Sequence, residues 1–283
     1  MTRNFLRRYL SGKLTPDELG ELVKSFDVVG DIAIVKVPSK LERRKQIIAE
    51  AILAGHGNVR TVLNQISSVS GDYRLRGLEW IAGEEKTETV YLENRCIFKV
   101  DLSNVYFSPR LSFERMRVGK LVKEGETVLN MFAGVGCFSI IIARHCKAER
   151  IYSIDVNPRA IELMKETIAM NKVGDRVEAI LGDAKEVVEG RFRGVANRIL
   201  MPLPEKAYEY LDVACQALKP EGGCVHYYDF VHSKQKEEAM DMTYEKVKIR
   251  LTQLQKKFDV TFSRVVRTVG PNWSQVVLDI TVL

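Results

Sequence analysis

Along the second half of the chain, short apolar runs alternate with longer mixed ones. Val128–Phe132, Ile151–Ile154, Val177–Leu181, Arg198–Met201 and Cys224–Phe230 have strand length and little polar alternation, as expected of strands buried on both faces. Between them, Ser139–His145 carries apolar residues almost without break, as a helix packed on a sheet does, and Arg159–Asn171 and Glu205–Leu218 complete the helical set. Asn157-Pro158 reads as an N-cap followed by proline at the first helical position. After a long polar helix over about Lys234–Lys257, two strands, Val260–Arg267 and Gln275–Val282, flank Gly270-Pro271-Asn272. Their closeness predicts an antiparallel hairpin at the edge of a mostly parallel α/β sheet.

The first hundred residues follow another rhythm, that of a smaller α+β unit. Helices are expected over Pro16–Phe26 and Leu41–Ala54, and strands over Val28–Val37, Thr61–Ser68, Trp80–Ala82, Thr89–Glu93 and Cys96–Asp101, the last two joined by Glu93-Asn94-Arg95. Two domains are therefore expected, 1–107 and 108–283. Lys40, Arg43, Arg44 and Lys45 cluster at a helix start, a pattern that suits a solvated face before it suits a binding patch. The net charge of +6 is spread over both parts, so any polyanionic partner must meet a folded surface and not a basic tail. Five dispersed cysteines without a CxxC pair fit reduced thiols in a cytoplasmic protein and give no zinc site; no membrane span or signal peptide is apparent.

The densest chemistry lies in Val128–Asp155: strand, loop with Gly134 and Gly136, helix, strand, acid. Glycines there let backbone approach a ligand, and Asp155 ends the second strand where a carboxylate can accept from ribose hydroxyls. The plain alternative is an ordinary tight turn in a doubly wound domain. Ser139 stands where a dinucleotide fingerprint has its third glycine, and S-adenosylmethionine, unlike a dinucleotide, brings no pyrophosphate to the helix N-terminus. Asp183, closing the next strand, suits an adenine amino group, a helix N-cap ahead of Ala184, or both. A mostly parallel sheet ending in an antiparallel hairpin is also the architecture of class I methyltransferases.

A second cluster, Asn104–Arg115, gathers a phenol, a Ser-Pro turn, two arginines and a carboxylate. Arg110 and Glu114 stand four apart and can simply pair on a helix. The functional alternative has Tyr106 stacking on a base, Glu114 taking a proton, and Arg110 or Arg115 holding phosphate or the cofactor carboxylate.

VYFSPRLSFERMR, NMFAGVGCFSI, SIDVNPRA, RILMPLP and VHYY together resemble the archaeal and eukaryotic tRNA (guanine-N1)-methyltransferases that act on the guanosine 3′ of the anticodon, from about Val59 to the C-terminus. The resemblance implies methyl transfer from S-adenosylmethionine to guanosine 37 of tRNA, by a single chain, without metal or membrane. It implies Glu114 as the general base for N1, Arg74, in GDYRLRGLE, as the group meeting O6, Tyr106 as the stacking platform and Arg110 as a substrate contact. The cofactor contacts it implies are Arg115, Phe132, Asp155, Val156, Asp183 and Ala184 beside the loop glycines. Pro202 and Pro204 occupy the stretch where many members have an Asn touching substrate, and proline supplies no amide, so that contact must be replaced. An N-terminal module that checks tRNA shape is expected to be absent or reduced to Met1–Leu53. The sister family, the wybutosine-synthesis aminocarboxypropyl transferases, tends to lack arginines at the positions of Arg110 and Arg74, which favours N1 methylation here.

Overall fold

A computed structural model describes residues 2–23 and 25–283, in two compact units, Met1–Arg110 and Leu111–Leu283. The first holds the helices α1 (Thr2–Leu10), α2 (Pro16–Glu21) and α3 (Lys45–Gly55). Its strands are β1 (Asp27–Val29), β2 (Ile32–Val35), β3 (Thr61–Gln65), β4 (Leu78–Gly83), β5 (Glu88–Glu93) and β6 (Cys96–Asp101). β1 to β4 form one sheet in sequential order, with β2 and β3 parallel on either side of α3, and β5–β6 is a separate hairpin.

Some expected boundaries move. The run Val28–Val37 is not one strand but the hairpin β1–β2, turned at Gly30, whose φ is +57°; a Cβ there would lie 2.4 Å from the Val90 carbonyl oxygen. The helix expected from Leu41 begins as a 3₁₀ turn, Ser39–Arg44, before α3. α2 stops at Glu21, and Lys24, within the helix expected there, lies outside the described residues. Thr15 starts α2 with a reciprocal capping box to Glu18 and Pro16 at its first position. The β5–β6 turn uses Asn94 and Arg95, both at positive φ (49° and 60°), as a two-residue hairpin of this twist requires.

The second unit is a seven-stranded sheet. After α4 (Ser112–Leu121) come β7 (Thr127–Asn130), α5 (Cys137–His145), β8 (Arg150–Asp155), α6 (Pro158–Asn171), β9 (Val177–Leu181) and α7 (Ala184–Val187). There follow β10 (Arg198–Met201), α8 (Leu211–Ala217), β11 (Gly223–His232), α9 (Lys236–Gln253), β12 (Phe258–Gly270) and β13 (Trp273–Val282). The order is β12-β13-β11-β10-β7-β8-β9: five parallel strands, then β13 antiparallel to β11, and β12 antiparallel at the edge. This is the parallel sheet with a terminal antiparallel hairpin that the apolar runs predict. From β7 the sheet grows one way through β8 and β9 and the other way through β10 and β11, so the carboxyl ends of the parallel pair β7 and β10 open the crevice where such sheets bind ligands.

One helical expectation changes here. The helix expected over Glu205–Leu218 is only α8; residues 204–210 are turns, opened by two prolines that fix φ and by the Leu203 carbonyl accepting from Lys206 and Ala207 N–H. A π-helical turn, Val188–Phe192, follows α7. The edge strand β12 carries three register shifts, at Val260/Phe262, Val265/Arg267 and Thr268/Gly270, which blunt an otherwise long open edge.

Candidate active site

The residues expected to hold the cofactor gather at the carboxyl ends of β7, β8 and β9. Gly134 (φ +55°) and Gly136 (φ +83°) shape the loop before α5, and a Cβ on Gly136 would meet Met164 Cγ at 2.8 Å. Asp155 anchors this loop: its Oδ2 accepts from Gly134 N–H at 2.6 Å and its Oδ1 from Asn157 N–H at 3.0 Å. Burial pushes the Asp155 carboxyl above the usual carboxylate range, and backbone donors from Asn157, Gly134 and Val156 pull only partly the other way. Asn157 in turn caps α6, accepting from Arg159 and Ala160 N–H, as expected of Asn-Pro.

Asp183 is the N-cap of α7, accepting from Lys185 N–H at 2.8 Å, and its second oxygen accepts from the Tyr210 hydroxyl at 2.5 Å. The capping role is thus real, and each carboxylate oxygen already accepts one hydrogen bond. Tyr210 also meets Phe132 edge-on, with ring centroids 5.3 Å apart, and so joins two of the expected residues. Ala184 is buried and Val156 exposed, while Arg115 on α4 is 3% exposed.

These groups fit S-adenosylmethionine better than a dinucleotide. Gly134 N–H is taken by Asp155 and Gly136 N–H by the Ala133 carbonyl, at 2.9 Å, so these amides are not spare donors for a pyrophosphate. What the strand ends offer instead are acceptors, Asp155 and Asp183, together with the buried Asn130 Oδ1, which has no hydrogen-bond partner among the described residues. A cationic ligand rich in hydroxyl and amino donors matches that set.

The carboxylate of Glu114, in the first turn of α4, is 1% exposed and ringed by donors. Arg117, one turn on, reaches both oxygens, with Nη2 2.8 Å from Oε1 and Nε 3.0 Å from Oε2. The Tyr228 hydroxyl donates to Oε1 at 2.8 Å, and Arg264 Nη2 to Oε2 at 2.5 Å. Burial, first, and the facing carboxylate, second, push the Tyr228 phenol well above its ordinary range, so it stays a donor. Arg117 passes the network on to Asp279, which accepts from it at 2.6 Å and from His226 Nδ1 at 2.6 Å. Arg198 Nη1 lies 2.8 Å from His226 Nε2. A guanidinium only donates, so Nε2 is the acceptor, the proton sits on Nδ1, and His226 is neutral. Arg198 itself ends on Glu126, at 2.7 Å. The guanidiniums of Arg264, Arg117 and Arg198 thus balance the carboxylates of Glu114, Asp279 and Glu126, three against three.

The first unit holds Arg74, Tyr106 and Arg110. Arg74 lies over the Tyr106 ring, its guanidinium carbon 4.3 Å from the centroid, and adopts φ +54°, a conformation that non-glycine residues seldom take. Arg76 donates to the Phe107 carbonyl at 2.9 Å and fixes the same strip. Arg110 pairs with Asp27, at 2.9 Å, and not with Glu114 as the spacing of four allows. After β10, Pro202 is half-buried and Pro204 buried.

Arg117 and Tyr228 fall inside motifs quoted from the sequence, SFERMR and VHYY, but with no role assigned to them. Arg264 and Tyr210 carry no distinguishing pattern. Asp279 had one signal, an acid inside the apolar run Gln275–Leu283. No helix among the described residues is long and apolar enough to cross a membrane.

Residues 89–262 match the family model described as the TRM5/TYW2 methyltransferase domain, and residues 6–87 that of the TYW2 N-terminal domain, so the likeness begins upstream of Val59. The tRNA (guanine(37)-N(1))-methyltransferase Trm5b of Pyrococcus abyssi is 40% identical over 94% of this chain and 78% of its own length. The tRNA 4-demethylwyosine(37)-methyltransferase Taw21 of Saccharolobus solfataricus is 37% identical over 92% of this chain and 94% of its own. A solved complex of aTrm5 and tRNALeu superposes with a TM-score of 0.84 at 34% identity, covering 100% of this chain and 79% of that one. Matched to this family model over more than half its length, and 40% identical to the Pyrococcus abyssi protein over nearly all of it, the chain belongs to the TRM5/TYW2 methyltransferase family.

Proposed function

We propose that this protein transfers a methyl group from S-adenosylmethionine to N1 of guanosine 37 in tRNA. The observation that carries the reading is the 40% identity to a guanosine-37 N1-methyltransferase over nearly the whole chain. The buried Glu114 carboxylate supports it: N1 of guanine bears a proton that a base must remove. The cofactor supplies an electrophilic methyl group on a sulfonium. Asp155 and Asp183, with Phe132, Val156, Ala184 and the Gly134–Gly136 loop, hold it by acceptors and shape, and Arg115 faces its carboxylate end. Tyr106 offers a stacking surface for an unpaired base, and Arg74 meets the charge that grows on O6 as N1 loses its proton. Arg110 contributes charge toward the RNA backbone, and the Pro202–Pro204 stretch shapes the substrate side without an amide. Glu114→Gln should keep cofactor binding by calorimetry and lose methyl transfer to a tRNA transcript with G37; unchanged turnover removes Glu114 as the base.

The Taw21 relative matches this chain almost end to end, which favours 4-demethylwyosine at the same tRNA position as a second methyl acceptor. Mass spectrometry of tRNA carrying either base at position 37 separates the two acceptors, and a mass gain above that of one methyl group would instead report aminocarboxypropyl transfer.

A further inference from the structure

Glu114 cannot take a proton while every face of its carboxylate is occupied, and its two cationic partners are not held alike. Arg117 is 14% exposed and tied at its far side to Asp279. Arg264 is 31% exposed, comes from the edge strand β12, rests 4.9 Å over the exposed ring of Phe113, and has an Nε with no hydrogen-bond partner among the described residues. Its strand bulges on both sides, at Val260/Phe262 and Val265/Arg267, so β12 is less tightly laddered there than the core strands. Of the two cations on Glu114, Arg264 is the one that can leave without breaking a second buried ion pair.

Resting on the reading of Glu114 as the base, we propose that Arg264 is its removable counter-ion, a positioning residue that neutralises the carboxylate until the guanine arrives and then uncovers Oε2. The charges require this order. With Arg264 in place, the guanidiniums of Arg264, Arg117 and Arg198 match the carboxylates of Glu114, Asp279 and Glu126, and Glu114 has no electrostatic reason to accept a proton. With Arg264 withdrawn, the remaining groups carry one uncompensated negative charge in a buried setting, which a proton relieves. The N1–H bond would then break and its proton form an O–H bond at Oε2, while the electron pair left on N1 forms the N–CH3 bond as the S–CH3 bond of the sulfonium breaks, its electrons staying on sulfur to leave a neutral thioether. Oε1 keeps Tyr228 and Arg117 throughout, so the carboxyl stays oriented.

The groups facing Glu114 are Arg117 from α4, Tyr228 from β11 and Arg264 from β12, with Asp279 of β13 behind Arg117. Single-turnover methyl transfer to a G37 transcript, measured across pH for the full chain with saturating S-adenosylmethionine, tests the assignment. In Arg264→Gln the acidic limb of the rate profile is expected to move up by roughly one to three pH units. Arg264→Lys should lie between it and the unaltered protein. Should Arg264→Gln fail to bind cofactor, Arg264→Met, which keeps the stem packed on Phe113, is read in the same way. A limb that does not move in a folded neutral variant, with Glu114→Gln inactive, overturns the role of Arg264 alone. An active Glu114→Gln overturns the base itself.

Discussion

The hydroxyl of Ser139 lies 2.7 Å from that of Ser153, and the Asn130 amide donates to the same Ser139 oxygen at 3.1 Å. All three side chains are fully buried. They join the start of α5 to the ends of β7 and β8, so the position where a dinucleotide fold has glycine is here a polar bolt beneath the cofactor loop. Ser139→Ala removes the shared oxygen and leaves two buried donors unpaired, at a cost of about 1–3 kcal/mol. Urea unfolding should show a lower midpoint at constant slope; a loss under about 0.5 kcal/mol would contradict the bolt.

Asp155→Ala should weaken S-adenosylmethionine binding by about 1.5–3 kcal/mol, the worth of hydrogen bonds to a charged acceptor, or about 10- to 100-fold in Kd. Isothermal calorimetry checks it. Because Asp155 also holds Gly134 N–H, loop order should fall as well, seen as faster amide exchange over residues 133–136. Equal affinity would leave Asp155 a loop anchor only.

Arg74→Lys keeps a charge but loses the flat group that stacks on Tyr106. Methyl transfer should fall by about 10²–10³, the usual loss for a misplaced oxyanion donor, with cofactor affinity unchanged. A rate within threefold of the original would exclude Arg74 from meeting O6.

Asp279 sets an acid limit on the fold. Burial, the largest influence, works to raise its carboxyl, but hydrogen bonds from His226 and Arg117 outweigh it and hold the group well below the usual range. A carboxylate depressed in the folded state stabilises fully above its unfolded value near ~3.9, and that contribution fades as pH falls through the folded value. Asp279→Asn should therefore cost about 3–5 kcal/mol at pH 7, by leaving Arg117 short of a partner. Its melting temperature should also decline less steeply than the parent's below about pH 4. Parallel melting curves from pH 7 to pH 2 would expose the idea as wrong.

The sheet was legible because its strands are buried on both faces, so Ile151–Ile154 and Arg198–Met201 stand out as unbroken runs, and Asn157-Pro158 states its cap outright. The hairpin at Gly30 was not, since an apolar run such as Val28–Val37 reads the same whether or not one glycine turns it. The residues proposed to hold the cofactor follow the strands β7, β8 and β9 closely in sequence, so their place at those strand ends was legible. Glu114 lies in a legible motif, but its distant neighbours were not legible: Tyr228 and Arg264 reach Glu114, and Asp279 reaches Arg117, over separations of more than a hundred residues. Nothing local in the sequence encodes that meeting.

Arg74 already covers one face of the Tyr106 ring. An aromatic ring has only two faces, so a base stacking there must take the far one or displace the guanidinium. On the far face, purine, ring and guanidinium form a single pile in which Tyr106 passes polarisation between its neighbours. Such a pile grips any base by its surface, so discrimination for guanine has to come from the edge of the base and not from its plane.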